Sequence, residues 1–493
     1  MNQNVVIGQK AAVAMGFLLA GLTFFYAVSY INLLVESDLW WHIKTGMTIL
    51  ANKAVPHVDP FSYSHEGQPW IAKEWLAQIL YALSYDALGW VGPQAMAAAA
   101  LAATAWLMFR RSARELQPIY AIVLVIFAIA YVKGVTVARP HILTFPMAVF
   151  LTTHVFDRAR AGLAPSFWAL AIIVLWANIH ASFPIAFLIC GCAFLDYVER
   201  KRLSDRSTLL RWIVFLALCP LVALINPYFA QPYLIALDMA NGLKVMSHIT
   251  EWTPLLVDDN HALEVAFMAM IAVLLWLRPK LTIGQILFAL MCLHMMLSHL
   301  RFQYLFILLV PLVMLADVIA VLPKASANHW LAQDRDKLES FLGRNAAAVG
   351  AAMALMAVAY TAYSATTGRV FPPESIAVSR AIAYVKQHQA TDPALQMHVL
   401  NDYNTGGPLI FNGIKTYVDG RAEQLFLGDF MQQYIDSGEK GGEVAIAKML
   451  EDPSVGWTIF SANSPRNDFI AKVPGWQKTY EDDAAVIFER KSP

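Results

Sequence analysis

Long apolar segments separated by short polar ones dominate roughly the first three quarters of the chain. A membrane-spanning helix needs about 20 mainly apolar residues. Eleven segments match this pattern, at 12–34, 92–109, 119–135, 141–157, 167–180, 182–199, 208–225, 262–278, 282–299, 302–322 and 345–365. The pattern therefore predicts an α-helical polytopic membrane protein with about eleven transmembrane helices.

One further helical segment, 74–89, is too short and too polar on one side to cross a bilayer. Trp75, Ile79 and Leu83 fall on one face, whereas Glu74 and Asp86 fall on the other. Such a helix is typical of the membrane interface, where it lies along the leaflet. We therefore expect the first outer loop, 35–91, to be long and to contain interfacial helices.

The pattern changes near residue 370, where short β-type runs begin to alternate with helical ones. Helices are expected at 375–388, 429–437 and 443–452. Strands are expected at 397–401, 408–411, 415–419, 456–461 and 484–489. Alternating strands and helices favour a small α/β domain. The predicted division is a transmembrane domain over 1–368 and a soluble domain over 369–493.

Composition and charge limit the possible functions and fix an orientation. The chain is 58% apolar and 15% charged, with a formal net charge of zero, which argues against a nucleic-acid partner. Basic residues such as Arg110, Arg111, Arg158, Arg200 and Arg278 fall on one side of the predicted spans. Because cytoplasmic loops are enriched in Lys and Arg, the N-terminus is expected to be cytoplasmic and the C-terminal domain to lie on the opposite side.

With this orientation, the unusual polar residues collect on the outer side. Polar groups on spanning helices avoid lipid, so we expect them to face one shared outer cavity while the cytoplasmic halves of the spans stay apolar. The first loop contributes Glu36, Asp38, Trp40, Trp41, His42, Asp59, Lys73 and Glu74. Helix ends and later loops contribute Arg139, Asn178, His180, Tyr228, Glu251 and Arg301.

This set of side chains suits transfer of a group from a phosphate-bearing lipid. Asp38 is the expected general base, with Glu36 and Glu74 as further acids. Glu36 and Asp38 also offer hard oxygen ligands for a divalent cation such as Mg or Mn. Guanidinium groups neutralise a departing phosphate well. The expected phosphate-binding residues are Arg139, Arg301, His42, His180 and Lys73.

Sugar or acceptor binding is the third expected role in the cavity, and each residue type also has a simpler explanation. The expected residues are Trp40, Trp41, Asp59, Asn178, Tyr228 and Glu251. Paired tryptophans also serve as interface anchors, and Asp before Pro also starts a turn. Asp38 itself is a good helix cap. In the soluble domain, Asp402, Tyr403, Gly406, Gly407, Asp419 and Arg421 fit either an acceptor site or ordinary turns.

At these residues the chain resembles the GT-C superfamily of membrane glycosyltransferases. Members include protein mannosyltransferases, oligosaccharyltransferase catalytic subunits and the lipid A aminoarabinose transferase, and Glu36-Ser-Asp38 matches their E-x-D arrangement. The chain is also similar to a group of bacterial membrane proteins with an ordered series of motifs. These are D-L-W-W-H at 38–42, D-P-F-S at 59–62, E-W-L at 74–76, R-P at 139–140, N-x-H at 178–180, N-P-Y at 226–228 and V-D-G-R at 418–421. The W-W-D-x-G signature of oligosaccharyltransferases is missing from the sequence.

The resemblance implies a glycosyltransferase of the bacterial inner membrane that uses a polyprenyl-phosphate-linked sugar. The expected acceptor is an envelope lipid, polysaccharide or protein on the periplasmic face. Two alternatives stay open on the residues alone. One is a transporter or flippase of a lipid-linked or anionic solute, and the other is a non-catalytic subunit of envelope polysaccharide assembly.

Overall fold

A bundle of helices accounts for most of the computed structural model, which describes residues 9–201, 205–240, 252–255, 261–322 and 340–491. The helices that build it are α1 Gln9–Tyr30, α2 Asp38–Asn52, α3 Trp75–Leu88, α4 Val91–Ser112, α5 Pro118–Val132, α6 Thr144–Arg160, α7 Leu170–Ile179, α8 Pro184–Lys201, α9 Arg206–Val222, α10 Gln231–Ala240, α11 His261–Leu277, α12 Ile283–Ser298 and α13 Gln303–Val321. A further long helix, Ala346–Thr367, precedes the C-terminal domain.

Each of the eleven predicted spans coincides with one of these helices. By length and composition, five helices in the described part of the chain are able to cross a membrane. They are Lys10–Tyr30, Val91–Ser112, Pro118–Val135, Leu300–Val321 and Ala346–Thr367. Shorter apolar helices include Phe167–Ile179 and Ile283–Ser298. The expected fold class, a polytopic helical membrane protein, is confirmed.

Local sequence signals explain where several helices begin. Pro118 lies in the first turn of α5, where its missing N–H costs nothing and its fixed φ suits a helix. The Thr282 hydroxyl accepts from the Gln285 N–H, and the Gln285 side chain accepts from the Thr282 N–H. This reciprocal capping box starts α12. The apolar faces then pack together, with α1 against α4, α6 against α8, and α12 against α8 and α13.

The first loop contains two helices, α2 and α3, which pack against each other. The helix predicted at 74–89 is therefore confirmed as Trp75–Leu88. Gly46 lies so close to the Gln78 carbonyl that no side chain would fit between them. The loop is thus a compact unit at one end of the bundle, and it holds most of the candidate residues.

The C-terminal domain is a four-stranded sheet flanked by short helices. Its strands are β1 His398–Asn401, β2 Val455–Ser461, β3 Trp476–Glu481 and β4 Ala485–Arg490, in the order β1-β2-β4-β3. β1 pairs in parallel with β2, whereas the other two pairs are antiparallel. The helices are Glu374–Ala377, Ser379–His388, Gly406–Phe411, Gly428–Asp436, Glu443–Leu450 and Pro465–Ile470. The expected α/β character is confirmed.

Two of the predicted strands are wrong. Residues 408–411 belong to the helix Gly406–Phe411, whose third residue, Pro408, occupies the first turn, where proline is tolerated. Residues 415–419 form no strand. Thr416 makes only an isolated bridge, and its partner is Ser62 of the first loop. The sequence pattern also missed β3, because Trp476–Glu481 is mostly exposed at the edge of the sheet and carries little apolar signal.

The first loop and the C-terminal domain share one hydrophobic cluster. Trp41, Phe61 and Trp70 from the loop pack with Val418 and Phe426 from the domain. Burial of large apolar side chains is the main favourable term in such packing. The shared cluster therefore fixes the domain against the end of the bundle that carries the candidate residues.

Candidate active site

A cavity of about 740 Å³ lies at this end of the bundle. The first loop, the ends of several helices and the C-terminal domain all contribute to its wall. Nine of the predicted site residues line it: Glu36, Asp38, Trp41, His42, Lys73, Glu74, Arg139, His180 and Arg301. The expectation of one shared polar cavity therefore agrees with the position of these residues.

Asp38 and Glu36 are held by one guanidinium. Arg139 precedes Pro140 and is extended, as residues before proline prefer. Its Nη2 lies 2.5 Å from Asp38 Oδ2 and its Nη1 lies 3.3 Å from Glu36 Oε2. Trp41 Nε1 donates to Asp38 Oδ1 at 2.9 Å. Asp38 is also the first residue of α2, where the helix dipole favours a negative charge. These contacts hold a carboxylate rigidly at the cavity wall.

Glu74 lies between two imidazoles. His42 Nε2 is 3.6 Å from Glu74 Oε2, and His180 Nε2 is 3.4 Å from Glu74 Oε1. The Ser182 backbone N–H donates to His180 Nδ1 at 3.1 Å, so a neutral His180 carries its proton on Nε2, toward Glu74. The ring orientation of His180 is therefore fixed by the backbone of the next turn.

Burial sets the protonation of this group. Desolvation raises the pKa of Glu74, and the nearby Lys73 only partly opposes it. Desolvation also lowers the pKa of His42 well below its usual value, with the Arg139 charge adding to the effect. Near neutral pH the His42 ring is therefore neutral, and Glu74 binds a proton more readily than an ordinary glutamate.

Lys73 is paired with Glu423, a residue of the C-terminal domain. Burial alone would lower the pKa of Lys73, but the carboxylates of Glu423 and Glu74 together outweigh it and the pKa is raised. Burial alone would likewise raise the pKa of Glu423, but Lys73 outweighs it and the pKa is lowered. Both groups are therefore charged at neutral pH, and the positive charge of Lys73 is already matched before any substrate enters.

Arg301 provides a third cation in the cavity. It lies in the short turn Leu300–Phe302 before α13. Its guanidinium carbon is 4.8 Å from the centroid of the Trp252 ring, a cation–π distance. His299 of the same turn bonds the Trp252 carbonyl through Nδ1 at 2.8 Å. The turn and the Trp252 segment therefore position Arg301 together.

The D-P-F-S and V-D-G-R motifs meet in a buried ion cluster outside the cavity. Arg421 Nη1 lies 2.5 Å from Asp59 Oδ1, and its Nε lies 2.7 Å from Asp419 Oδ1. All three side chains have zero exposure. The guanidinium also stacks on the rings of Phe61 and Trp70, at 5.3 and 4.9 Å. We call this group the Arg421 clamp, and it joins the first loop to the C-terminal domain.

Four of the predicted sugar- or acceptor-binding residues are not among those that line the cavity. Trp40 packs against Trp90 and Phe411 in an aromatic cluster. Asp59 belongs to the Arg421 clamp, and the Asn178 side chain accepts from Trp75 Nε1 at 2.7 Å. The Tyr228 hydroxyl accepts from the Ala72 N–H and donates to the Pro56 carbonyl. Their positions favour packing and positioning roles. Glu251 lies outside the described residues.

Three glycines of the soluble domain, Gly406, Gly407 and Gly420, allow a close approach of the backbone to neighbouring groups. Gly406 and Gly407 lie within a helix. A Cβ on Gly407 would collide with the Ser37 carbonyl, and one on Gly420 would collide with the Asp38 carboxylate. The C-terminal backbone therefore packs directly on the start of α2.

Several cavity residues were missed by the sequence reasoning. Glu423 and Tyr434 come from the C-terminal domain, and Trp252 comes from an outer loop. Glu423 had one usable signal, since it is an isolated acid two residues after the D-G-R motif. Trp252 and Tyr434 had none, because aromatic residues occur throughout this chain.

The carboxylates expected to bind a divalent cation, Glu36 and Asp38, are already paired with a guanidinium. Among the described residues, no group of three or more His, Cys, Asp or Glu side chains is placed to hold a metal ion. Glu36 and Asp38 direct carboxylate oxygens at Arg139. These two residues therefore do not form an open cage of oxygen ligands for a divalent cation.

A second charged group lies far from the cavity, roughly 20 Å along the helices at 1.5 Å per residue. Arg160 contacts both oxygens of Asp317, at 3.1 and 2.5 Å. Arg200 joins Asp317 to Asp196, at 3.1 and 2.9 Å. The expectation that this half of the spans is apolar is therefore wrong. Charged groups are tolerated there because each is paired within the bundle.

Fold and site together define a polytopic helical membrane protein with a charged cavity at one end of its bundle. No protein-family model matches the chain, and a search of curated proteins finds no match. Among solved structures, the chain is similar to ArnT from Cupriavidus metallidurans, crystallised bound to undecaprenyl phosphate. The two are 13% identical over 96% of this chain and 97% of that one, with a TM-score of 0.49. A likeness at this level concerns the overall fold and carries no information on substrate.

Proposed function

We propose that the chain is a membrane glycosyltransferase that moves a sugar from a polyprenyl-phosphate-linked donor to an envelope acceptor. The observation that supports this is the composition of the one cavity described above. It brings two carboxylates, Asp38 and Glu74, together with the cations Arg139, Arg301 and Lys73, where helices end. The lipid-linked nature of the donor is inferred from the resemblance of the motifs at these residues to those of the GT-C superfamily.

The proposed reaction is a displacement at the anomeric carbon of the sugar. The acceptor hydroxyl oxygen bonds to that carbon, and its proton passes to the Asp38 carboxylate. The bond from the anomeric carbon to the phosphate oxygen breaks, and its electron pair stays on the phosphate. Arg301 and Arg139 would stabilise the negative charge that grows there, because guanidinium groups bind phosphate oxygens well.

Glu74 is the second candidate for the proton-accepting group. A general base works best when its pKa is close to the working pH. The raised pKa of Glu74 moves it in that direction, and the neutral His42 lies beside it. Asp38 is preferred because it lies against the C-terminal wall of the cavity, where an acceptor from the aqueous side would enter.

The proposed location is the bacterial inner membrane, with the N-terminus in the cytoplasm and the cavity on the periplasmic face. The basic residues of the described helix ends support this orientation through the positive-inside rule. The Arg160 and Arg200 network lies at the end expected to be cytoplasmic.

A transporter remains the outcome that the test must separate from catalysis. The large cavity and the small cavity of about 10 Å³ beside the Arg160 network share no lining residue among those described. A continuous two-sided path would have favoured transport, and these two cavities do not supply one.

The test is the mass of envelope glycans in a deletion strain that carries wild type, Asp38→Asn or Asp86→Asn at matched expression. Asp86 lies on α3 of the same loop and is exposed, so it is a matched control. We expect wild type and Asp86→Asn to restore a sugar that Asp38→Asn does not, together with release of polyprenyl phosphate in membranes. Restoration by Asp38→Asn would contradict catalysis by this residue and favour the transport or assembly alternatives.

A further inference from the structure

The C-terminal domain forms one wall of the cavity. Tyr403, Gly420, Glu423 and Tyr434 all line it, beside residues of the first loop. This wall contains aromatic rings, an amide and a carboxylate, whereas the cations Arg139 and Arg301 come from turns of the helical bundle. The two sides therefore differ in charge, and the anionic donor phosphate is expected to bind on the cationic side.

Close backbone packing places this wall beside Asp38. The helix Gly406–Phe411 packs against α2. There is no room for a Cβ between Gly407 and the Ser37 carbonyl, or between Gly420 and the Asp38 carboxylate. Gln424 strengthens the contact, because its side-chain amide accepts from the Ile71 N–H at 3.1 Å and donates to the Ile71 carbonyl at 3.2 Å.

Tyr403 is held in place by a hydrogen bond of its backbone N–H, and its side-chain hydroxyl is not needed for this contact. Its N–H donates to the Tyr434 hydroxyl at 2.8 Å, and that hydroxyl in turn donates to the Asn401 carbonyl at 3.3 Å. In the described part of the chain, the Tyr403 hydroxyl itself has no hydrogen-bond partner. Tyr403 is half-buried and lines the cavity, so its hydroxyl is available to a hydrogen-bonding ligand that enters there.

Electrostatics keep this hydroxyl protonated. Burial raises the pKa of Tyr403 well above its usual value, and the negative charges of Asp38 and Glu423 add to the effect. The group is therefore a neutral phenol that both donates and accepts hydrogen bonds, close to the carboxylate of Asp38. A sugar hydroxyl is a suitable partner, since it also donates and accepts.

We propose that Tyr403 is a substrate-contacting residue that hydrogen-bonds the acceptor and aims the acceptor hydroxyl at Asp38. This rests on the proposed glycosyl transfer and adds to it that the acceptor binds on the C-terminal wall through a hydrogen bond to Tyr403. The Arg421 clamp acts as a positioning device, because it fixes segment 419–424 against the first loop.

The test compares Tyr403→Phe with Tyr417→Phe. Tyr417 is a half-buried tyrosine of the same domain that packs in the shared hydrophobic cluster and does not line the cavity. The donor probe is polyprenyl-phosphate-linked sugar extracted from the deletion strain, and the acceptor probe is envelope from that strain. Two rates are measured, transfer to envelope and hydrolysis of the donor without envelope.

We expect Tyr403→Phe to raise the half-saturating amount of envelope about tenfold, the size of one lost hydrogen bond. Donor hydrolysis and the unfolding temperature should stay at wild-type values, and Tyr417→Phe should change neither rate. Equal transfer by the two variants would overturn the proposal. An equal fall in hydrolysis and transfer would also overturn it, because Tyr403 would then act on the donor. Wild type that releases no polyprenyl phosphate at all would overturn the proposed function itself.

Discussion

Two charged groups in this protein use the same residue types but differ in the space around them. At the cavity, Arg139 holds Asp38 and Glu36 beside about 740 Å³ of open volume. At the distant network, Arg160 and Arg200 hold Asp317 beside a volume of about 10 Å³, which is too small for a substrate. In the distant network, the charged and polar side chains are paired with one another and do not face a cavity large enough for a ligand.

The hydrogen bonds of the distant network support this contrast. Asp317 accepts from Gln285 Nε2 at 2.7 Å, and Asp196 accepts from the Thr282 hydroxyl at 2.5 Å. Paired charges of this kind hold helices together, and removing one partner leaves the others without a counter-charge. Ion pairs alone therefore do not identify a functional site; ion pairs that face an empty volume do.

The largest expected effect is on catalysis by Arg139→Gln. Removing its charge takes away both the partner of Asp38 and one of the cations expected at the phosphate, so the rate of transfer should fall about 10³-fold. The unfolding temperature should change little, because the released carboxylates of Glu36 and Asp38 face the cavity. Initial rates in membranes and thermal unfolding in detergent measure the two effects.

The matched control for this prediction is Arg200→Gln in the distant network. It should leave the rate per folded molecule close to wild type and lower the unfolding temperature. If Arg139→Gln loses folded protein in proportion to its rate, then Arg139 belongs with the structural charges and the contrast between the two groups is wrong.

The next effect in size is on stability, through Asp317→Asn. The change leaves the guanidinium groups of Arg160 and Arg200 without their shared carboxylate inside the bundle. These three side chains are partly buried, and leaving such charged groups unpaired costs about 1–3 kcal/mol. Thermal unfolding of the purified protein measures the loss, and the rate per folded molecule should be unchanged. A variant as stable as wild type would show that water enters this region and screens the charges.

The sequence predicted local features better than distant contacts. The eleven apolar segments were found because each helix buries side chains at its own spacing, and that spacing is visible in the chain. Asp38, Arg139 and Arg301 were found because polar residues at helix ends are unusual in a membrane protein. Predicting the strand at 415–419 failed because Thr416 pairs with the first loop, far away in the chain.

Contacts across the chain account for most of what was missed. Glu423 pairs with Lys73 over 350 positions, and Arg421 pairs with Asp59 over 362. Neither pairing leaves a periodic signal in the sequence. From the sequence alone, the D-G-R motif therefore resembles an ordinary turn, and the site is assigned mainly to the first loop. The distant network was missed for a related reason, since Asp196 and Asp317 come from helices far apart in the chain and their partners leave no local pattern.

The smallest effect is on the pH dependence of transfer, through Glu74. Its pKa is raised above the ordinary value, mainly by burial. If the reaction needs the ionised carboxylate, the rate is full above that raised pKa and falls about tenfold per pH unit below it. The distant network has no counterpart to this, because Asp317 meets no substrate. The measurement is transfer rate against pH for wild type and Glu74→Gln.

Glu74→Gln should be slower than wild type and should lose this acid limb, since the amide does not titrate. The control is Glu66→Gln, which removes a carboxylate of the same loop that is exposed and paired with Lys415 on the surface. Glu66→Gln should keep the wild-type transfer rate and the wild-type fall in rate at low pH. If the fall in transfer rate at low pH persists unchanged in Glu74→Gln, then Glu74 is not the proton acceptor and Asp38 alone has that role. A rate that instead falls as pH rises through the raised pKa would mean that Glu74 acts in its protonated form, as a hydrogen-bond donor to the substrate.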